Sequence, residues 1–198
     1  MILAVGLALA ELPLPDYRLA VTEAAGAEVA RIARESTADE AEDFARRWMR
    51  AVGESARVQY EMGLAWRLAG DDARAAAAID RAVELDPELV AARYDRGEIR
   101  LARGDIDGAA EDIAVVTRLE PRAWPGWFRA ADVAARRGDA AAFEVALLAA
   151  FRHGFSIRLV ASDPTWRGFV DDPRIGSVLR RLVTVYQGEA ALEALRRD

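Results

Sequence analysis

The chain has 198 residues, 53% of them hydrophobic and 30% charged, with a net charge of −6. That balance suits a folded domain or short repeat array rather than a disordered chain, and the acidic charge argues against general nucleic-acid binding. Cysteine is absent and all 27 basic residues are arginine, which excludes disulfides, cysteine zinc sites, a thiol nucleophile and the lysine of a phosphate-binding loop.

Residues 1–20 form an apolar and extended N-terminal segment. Ile2–Ala10 is an apolar run, and Ala8-Leu9-Ala10 has the form of a signal-peptide cleavage site. Two readings stay open. The run is a clipped secretory signal, which makes the protein exported or periplasmic, or it is an apolar tail that docks on the rest of the chain. It is far shorter than the ~20 apolar residues a membrane span needs, so no stable membrane insertion is expected. Leu12-Pro13-Leu14-Pro15 reads as extended, because each proline restricts the residue before it.

Residues 21–55 carry two predicted helices, Val21 to Arg34 and then a second to about Ala51. Thr37 and Glu40 have the spacing of a capping box that opens the second. Ala41, Phe44, Ala45 and Trp48 form its inner face by helical spacing.

From residue 56 a period of 34 residues runs through the chain. Gly70-Asp71, Gly104-Asp105 and Gly138-Asp139 recur at that interval. So do Pro87 and Pro121, Ala75 and Ala109, Ile79 and Ile113 with Leu147 next, and Gly63 and Gly97 with Ala131 next. Five sets in one phase are not a chance pattern. Each position has a physical reading. Gly63, Gly97 and Ala131 admit a closely packed second helix, Gly70, Gly104 and Gly138 supply left-handed C′ residues, and the aspartates after them cap the next helix. The prolines end it.

This pattern resembles the tetratricopeptide repeat (TPR) family, over three repeats: 56–89, 90–123 and 124–157. The resemblance implies an all-α fold in which helix–turn–helix units stack as a right-handed superhelix, with residues 21–55 as a degenerate fourth unit. Repeat three departs most: Phe143 stands where Ala75 and Ala109 are small, and Gly154-Phe155 replaces the terminal proline. It is expected to be distorted. The Trp66 position becomes Arg100 and then Ala134. Residues 158–198 resemble a capping segment of bacterial TPR proteins, with Phe155, Trp166, Phe169 and Leu179 packing over the last repeat and a closing helix of about Arg174 to Arg197 that Gly188 kinks or splits.

No catalytic constellation is present. His153 is the single histidine and sits in a turn with no nucleophile placed by motif beside it. Asp71-Asp72 and Asp171-Asp172 read as helix caps rather than paired acids. No metal and no cofactor is expected. The resemblance implies a non-catalytic protein-interaction module that takes a polypeptide segment in the concave groove lined by the first helix of each repeat. Carried over by phase, the groove positions are Tyr60, Tyr94 and Phe128; Leu64, Glu98 and Asp132; and Arg67 and Leu101, with Arg129 counted among the groove residues. The three aromatics either grip the segment or pack between neighbouring helices. A chaperone-tail clamp in this family uses Lys, Asn, Asn, Lys and Arg where this chain has Tyr60, Leu64, Asp95, Pro125 and Arg129. Only Arg129 agrees, so such tails are not expected to bind. The alternative is a regulatory or sensory part of a larger enzyme or envelope assembly, and self-association stays open.

Overall fold

The computed structural model describes residues 15–196, so the apolar run Ile2–Ala10 and the extended reading of Leu12-Pro13-Leu14 lie outside the described residues. Among the described residues there are eleven α-helices, a short 3-10 turn and no strand. They are α1 (Pro15–Glu35), α2 (Ala38–Val52), α3 (Ala56–Leu68), α4 (Asp72–Leu85), α5 (Val90–Arg103), α6 (Ile106–Leu119), α7 (Trp124–Arg137), α8 (Ala140–Arg152), α9 (Pro164–Asp171), α10 (Gly176–Gln187) and α11 (Glu189–Arg196), with the turn at Ile157–Val160. The chain forms two compact units, Met1–Arg96 and Gly97–Asp198, divided within α5.

The turn grammar of the repeats is local and uniform. Gly70, Gly104 and Gly138 take φ of 79°, 80° and 71°, where a side chain is strained. Asp71, Asp105 and Asp139 then accept from the backbone N–H three residues on, satisfying one of the four free donors at each helix start.

In the first unit, α1 starts at Pro15, six residues before the expected Val21. This corrects the extended reading of residues 15–20. Proline at the first helical position lacks only an N–H that has no intrahelical partner there. Thr37 Oγ1 accepts from the Glu40 N–H at 3.1 Å and caps α2. The Glu40 carboxylate accepts from the Ser36 hydroxyl, so it is engaged one residue ahead of the expected capping-box partner. α1, α2, α3 and α4 enclose a core of Val29, Ala41, Ala45, Val58, Met62 and Trp66, with Phe44 and Trp48 half-buried against it. At Gly63 a Cβ would lie 2.5 Å from Ile79 Cγ1, which is why α3 and α4 approach so closely there.

In the second unit, Ala109, Ile113, Ala131 and Leu147 occupy the buried repeat positions. Repeat three is not shortened: α7 has 14 residues and α8 has 13. The bulk of Phe143 is accommodated by the cap, where its ring lies 6.3 Å from that of Trp166. The sequence reading also missed α9, whose start is marked by Asp163 Oδ1 accepting from the Thr165 N–H at 2.8 Å and by Pro164 in the first turn. Gly188, at φ 84°, splits the closing helix into α10 and α11. Gln187 ties α10 to the turn after α8, its Nε2 donating to the Phe155 carbonyl at 2.8 Å and its Oε1 accepting from the Ile157 N–H at 2.9 Å. Phe155, Trp166 and Leu179 are buried in this cap, and Phe169 is half-buried against it.

Candidate binding surface

In the first unit the groove positions lie on α3 and the start of α5. Tyr60 is 9% exposed and its hydroxyl donates to Asp95 Oδ2 at 3.0 Å. Burial first, and the Asp95 charge second, push the Tyr60 phenol well above its ordinary range. Arg67 Nη1 lies 3.7 Å from Asp95 Oδ1, so the buried carboxylate has a phenol on one oxygen and a guanidinium near the other. Arg57 lies 5.9 Å from the Tyr60 ring centroid and its Nη2 is 2.8 Å from Glu61 Oε1. Burial raises the Glu61 carboxyl, with Arg57 and then Arg34 opposing that shift. Tyr94 is half-buried. Leu64 is half-buried like Tyr94, while the Arg67 guanidinium is exposed and Leu68 is 67% exposed.

In the second unit, Arg129 joins two acidic groove positions. Its Nη2 donates to Glu98 Oε1, and its Nη1 lies 3.6 Å from Asp132 Oδ2. Arg136 Nε donates to the other Asp132 oxygen at 2.8 Å. Asp132 is buried and Glu98 and Arg129 are half-buried. Two expected groove residues are found in the core. Phe128 is 5% exposed, with its ring 4.6 Å from Phe155 and 4.9 Å from Trp166. Leu101 is 4% exposed and packs with Ala109 and Val133. Neighbouring elements of the second unit cover both, and covering an apolar side chain removes it from contact with a partner.

One charged pair was not anticipated. Arg100, in the Trp66 phase, donates from Nη1 to Asp112 Oδ2 at 2.8 Å and to the Gly108 carbonyl at 2.9 Å. The Asp112 side chain is fully buried. A buried carboxylate needs such partners, and the polar pair at the i, i+12 positions was the available signal in the sequence. His153 closes α8, its N–H donating to the Ala149 carbonyl at 3.1 Å, and the residue is exposed. Asp71 is held below the usual carboxylate range, chiefly by the Arg74 N–H, and Asp172 is held at about 2 chiefly by the Arg174 side chain. Among the described residues no group of His, Cys, Asp and Glu is placed to hold a metal ion, and no helix is long and apolar enough to cross a membrane.

This architecture is the TPR fold. The chain is similar to YrrB, a TPR protein with an unusual peptide-binding site, at a TM-score of 0.50 and 24% identity, over 59% of this chain and 60% of that one. It thus spans about three fifths of the YrrB chain. It is also similar to the MamA RS-1 ArsTM double mutant, at a TM-score of 0.58 and 20% identity, over 87% of this chain and 89% of that one. No family model and no curated protein matches the sequence.

Proposed function

We propose that this protein is a non-catalytic interaction module that binds a polypeptide segment through the first helices of its repeats. The observation that carries the reading is on α3: Leu64, Arg67 and Leu68 present an accessible apolar and cationic surface, while Tyr60 and Asp95 beneath it are locked to each other. Exposed leucine cost little alone, but leucines beside an arginine on a rigid helix are the composition of an interface anchor. The likeness to YrrB, which has a peptide-binding site, supports a peptide as the ligand class. In the second unit, taken by itself, Glu98 and Arg129 are paired with each other, which favours a polar contact there rather than an apolar grip.

Phe128 and Leu101 act in this reading as supports, not contacts. The acidic Asp95 stands where a chaperone-tail clamp has an amide, so acidic tails are disfavoured. The test is site-specific photo-crosslinking from position 68 in the native host, compared with crosslinking from an exposed position on α4 such as Ala77. A single polypeptide captured from position 68, lost in Arg67→Ala with the circular dichroism unchanged, is the expected result. Equal capture from both positions refutes the groove.

A further inference from the structure

Two carboxylates of the first unit share one phase of the repeat, Glu61 on α3 and Asp95 on α5, and both are buried, at 6% and 7% exposed. A buried carboxylate keeps its charge only where partners replace the water it has lost. Asp95 has such partners in the Tyr60 hydroxyl at 3.0 Å and the Arg67 guanidinium at 3.7 Å. Among the described residues Glu61 has one ion pair, with Arg57 Nη2 at 2.8 Å from its Oε1. That guanidinium is shared: Arg57 Nε, buried and hydrogen-bonded to nothing, lies 3.4 Å from Glu23 Oε2 on α1. Two acids, one from each helix, thus face one cation across the seam between α1 and α3. The seam is closed by Gly26 of α1. A Cβ there would lie 3.0 Å from Arg57 Cγ and 3.4 Å from Glu61 Cγ, so the α1 backbone rests directly on both side-chain stems. The same helix sends Ala25 and Val29 into the core of the first unit.

We infer that α1 is a proton-sensitive element: with Glu61 protonated it is held more tightly on α3 than with Glu61 ionised. The charged groups that act on Glu61 are Arg57 on its own helix and Arg34 and Glu23 on α1. Tyr60 also faces it, with its hydroxyl committed to Asp95 of α5. With α1 docked, loss of water is the largest influence on the carboxyl and disfavours its charge; Arg57 and then Arg34 oppose this, and Glu23 adds to it. With α1 lifted away, water returns and the proton leaves at the ordinary glutamate value of 4.5. The docked carboxyl therefore titrates above the undocked one. Docking gains from the proton in full below 4.5, and the gain is lost as pH rises through the docked value. Each opening withdraws Ala25 and Val29 from the core, so pH sets how often that core is uncovered. The inference stands on the α1–α3 seam and does not depend on what the Leu64, Arg67 and Leu68 surface binds.

The test uses the full chain. Carbon NMR of the Glu61 carboxyl should show a midpoint above 4.5, and Glu23→Gln should lower it, because Arg57 is then left to Glu61 alone. Hydrogen exchange reads the docking itself. Protection factors of the α1 amides between Ala24 and Ile32, taken relative to the α8 amides of the second unit, should be at least about twofold higher near about pH 5 than near about pH 7.5. In Glu61→Gln that difference should vanish, because the amide carries no charge at either pH. A general acid response of the fold would persist in this variant. Glu23 is exposed, so Glu23→Gln keeps the inference open to refutation even where Glu61→Gln does not fold: its pH difference should shrink together with the midpoint. A Glu61 midpoint at or below 4.5, equal relative protection at both pH values, or a pH difference kept in full by Glu61→Gln would each overturn the inference. So would a Glu23→Gln protein in which neither the midpoint nor the protection moves.

Discussion

Gly63→Ala separates close packing from helix propensity. Alanine in a helix interior is favoured over glycine by about 1 kcal/mol, so at a neutral position the change would stabilise. Here the new Cβ would lie 2.5 Å from Ile79 Cγ1 and 3.2 Å from the Ala75 carbonyl oxygen. Neither atom is the free end of a flexible side chain, so α3 and α4 must separate. Overpacking of this kind costs about 1–3 kcal/mol. The net expectation is a destabilisation of up to about 2 kcal/mol, the overpacking cost less the propensity gain. Gly97→Ala is the internal control: its neighbours are Ile113 Cδ1 at 3.0 Å, a terminal methyl that can rotate away, and Cγ1 at 3.2 Å, which must give by a few tenths of an ångström, so this smaller contact offsets part of the propensity gain and the change should lie between neutral and about 1 kcal/mol stabilising. Urea unfolding followed by circular dichroism measures both. Ile79→Ala combined with Gly63→Ala should lose less stability than the two single changes summed, because one removes the atom the other strikes. A Gly63→Ala protein about 1 kcal/mol more stable than wild type would refute the reasoning.

Three further outcomes follow from the same geometry. Tyr60→Phe should cost about 1–3 kcal/mol, because it takes a donor from the buried Asp95 carboxylate. The phenol is raised in the folded state, so its contribution is complete below the unfolded value of 10.0 and is lost as pH rises through the folded one. The Phe variant should therefore show a shallower loss of stability in alkaline urea titrations. Asp172, with its carboxyl held at about 2, should stay ionised until pH falls through that value, which carbon NMR of the side chain reads directly. Its contribution is present above the ordinary carboxylate pKa and fades toward pH 2, and Asp172→Asn should remove that acid dependence. Trp166→Ala deletes a ring that contacts Phe128, Phe143, Phe155 and Phe169, and should cost about 3–5 kcal/mol with loss of the near-ultraviolet dichroism of the cluster.

The groove was legible only in part. Phase alone places Tyr60, Arg67, Glu98, Leu101 and Phe128 on the first helices, and that much needs no coordinates. Which of them a partner can touch depends on what else lies there. Phe128 is covered by Phe155 and Trp166, and Trp166 arrives 38 residues later in a helix that the repeat pattern does not contain. Tyr60 meets Asp95 across 35 residues, and nothing in either local sequence announces the pair.

The sequence by itself determined the repeat, its phase and its turns. Those rest on interactions spanning a few residues: a glycine at positive φ, an aspartate oxygen on the third N–H ahead, a proline that cannot continue a helix. Such preferences act before any tertiary contact forms and leave the same letters at the same spacing. Only the tertiary structure decided which side chains are buried and which charges are paired. Those outcomes depend on the volumes and charges of residues tens of positions apart, and packing at crystal-like density makes each of them a property of the whole neighbourhood rather than of one residue type.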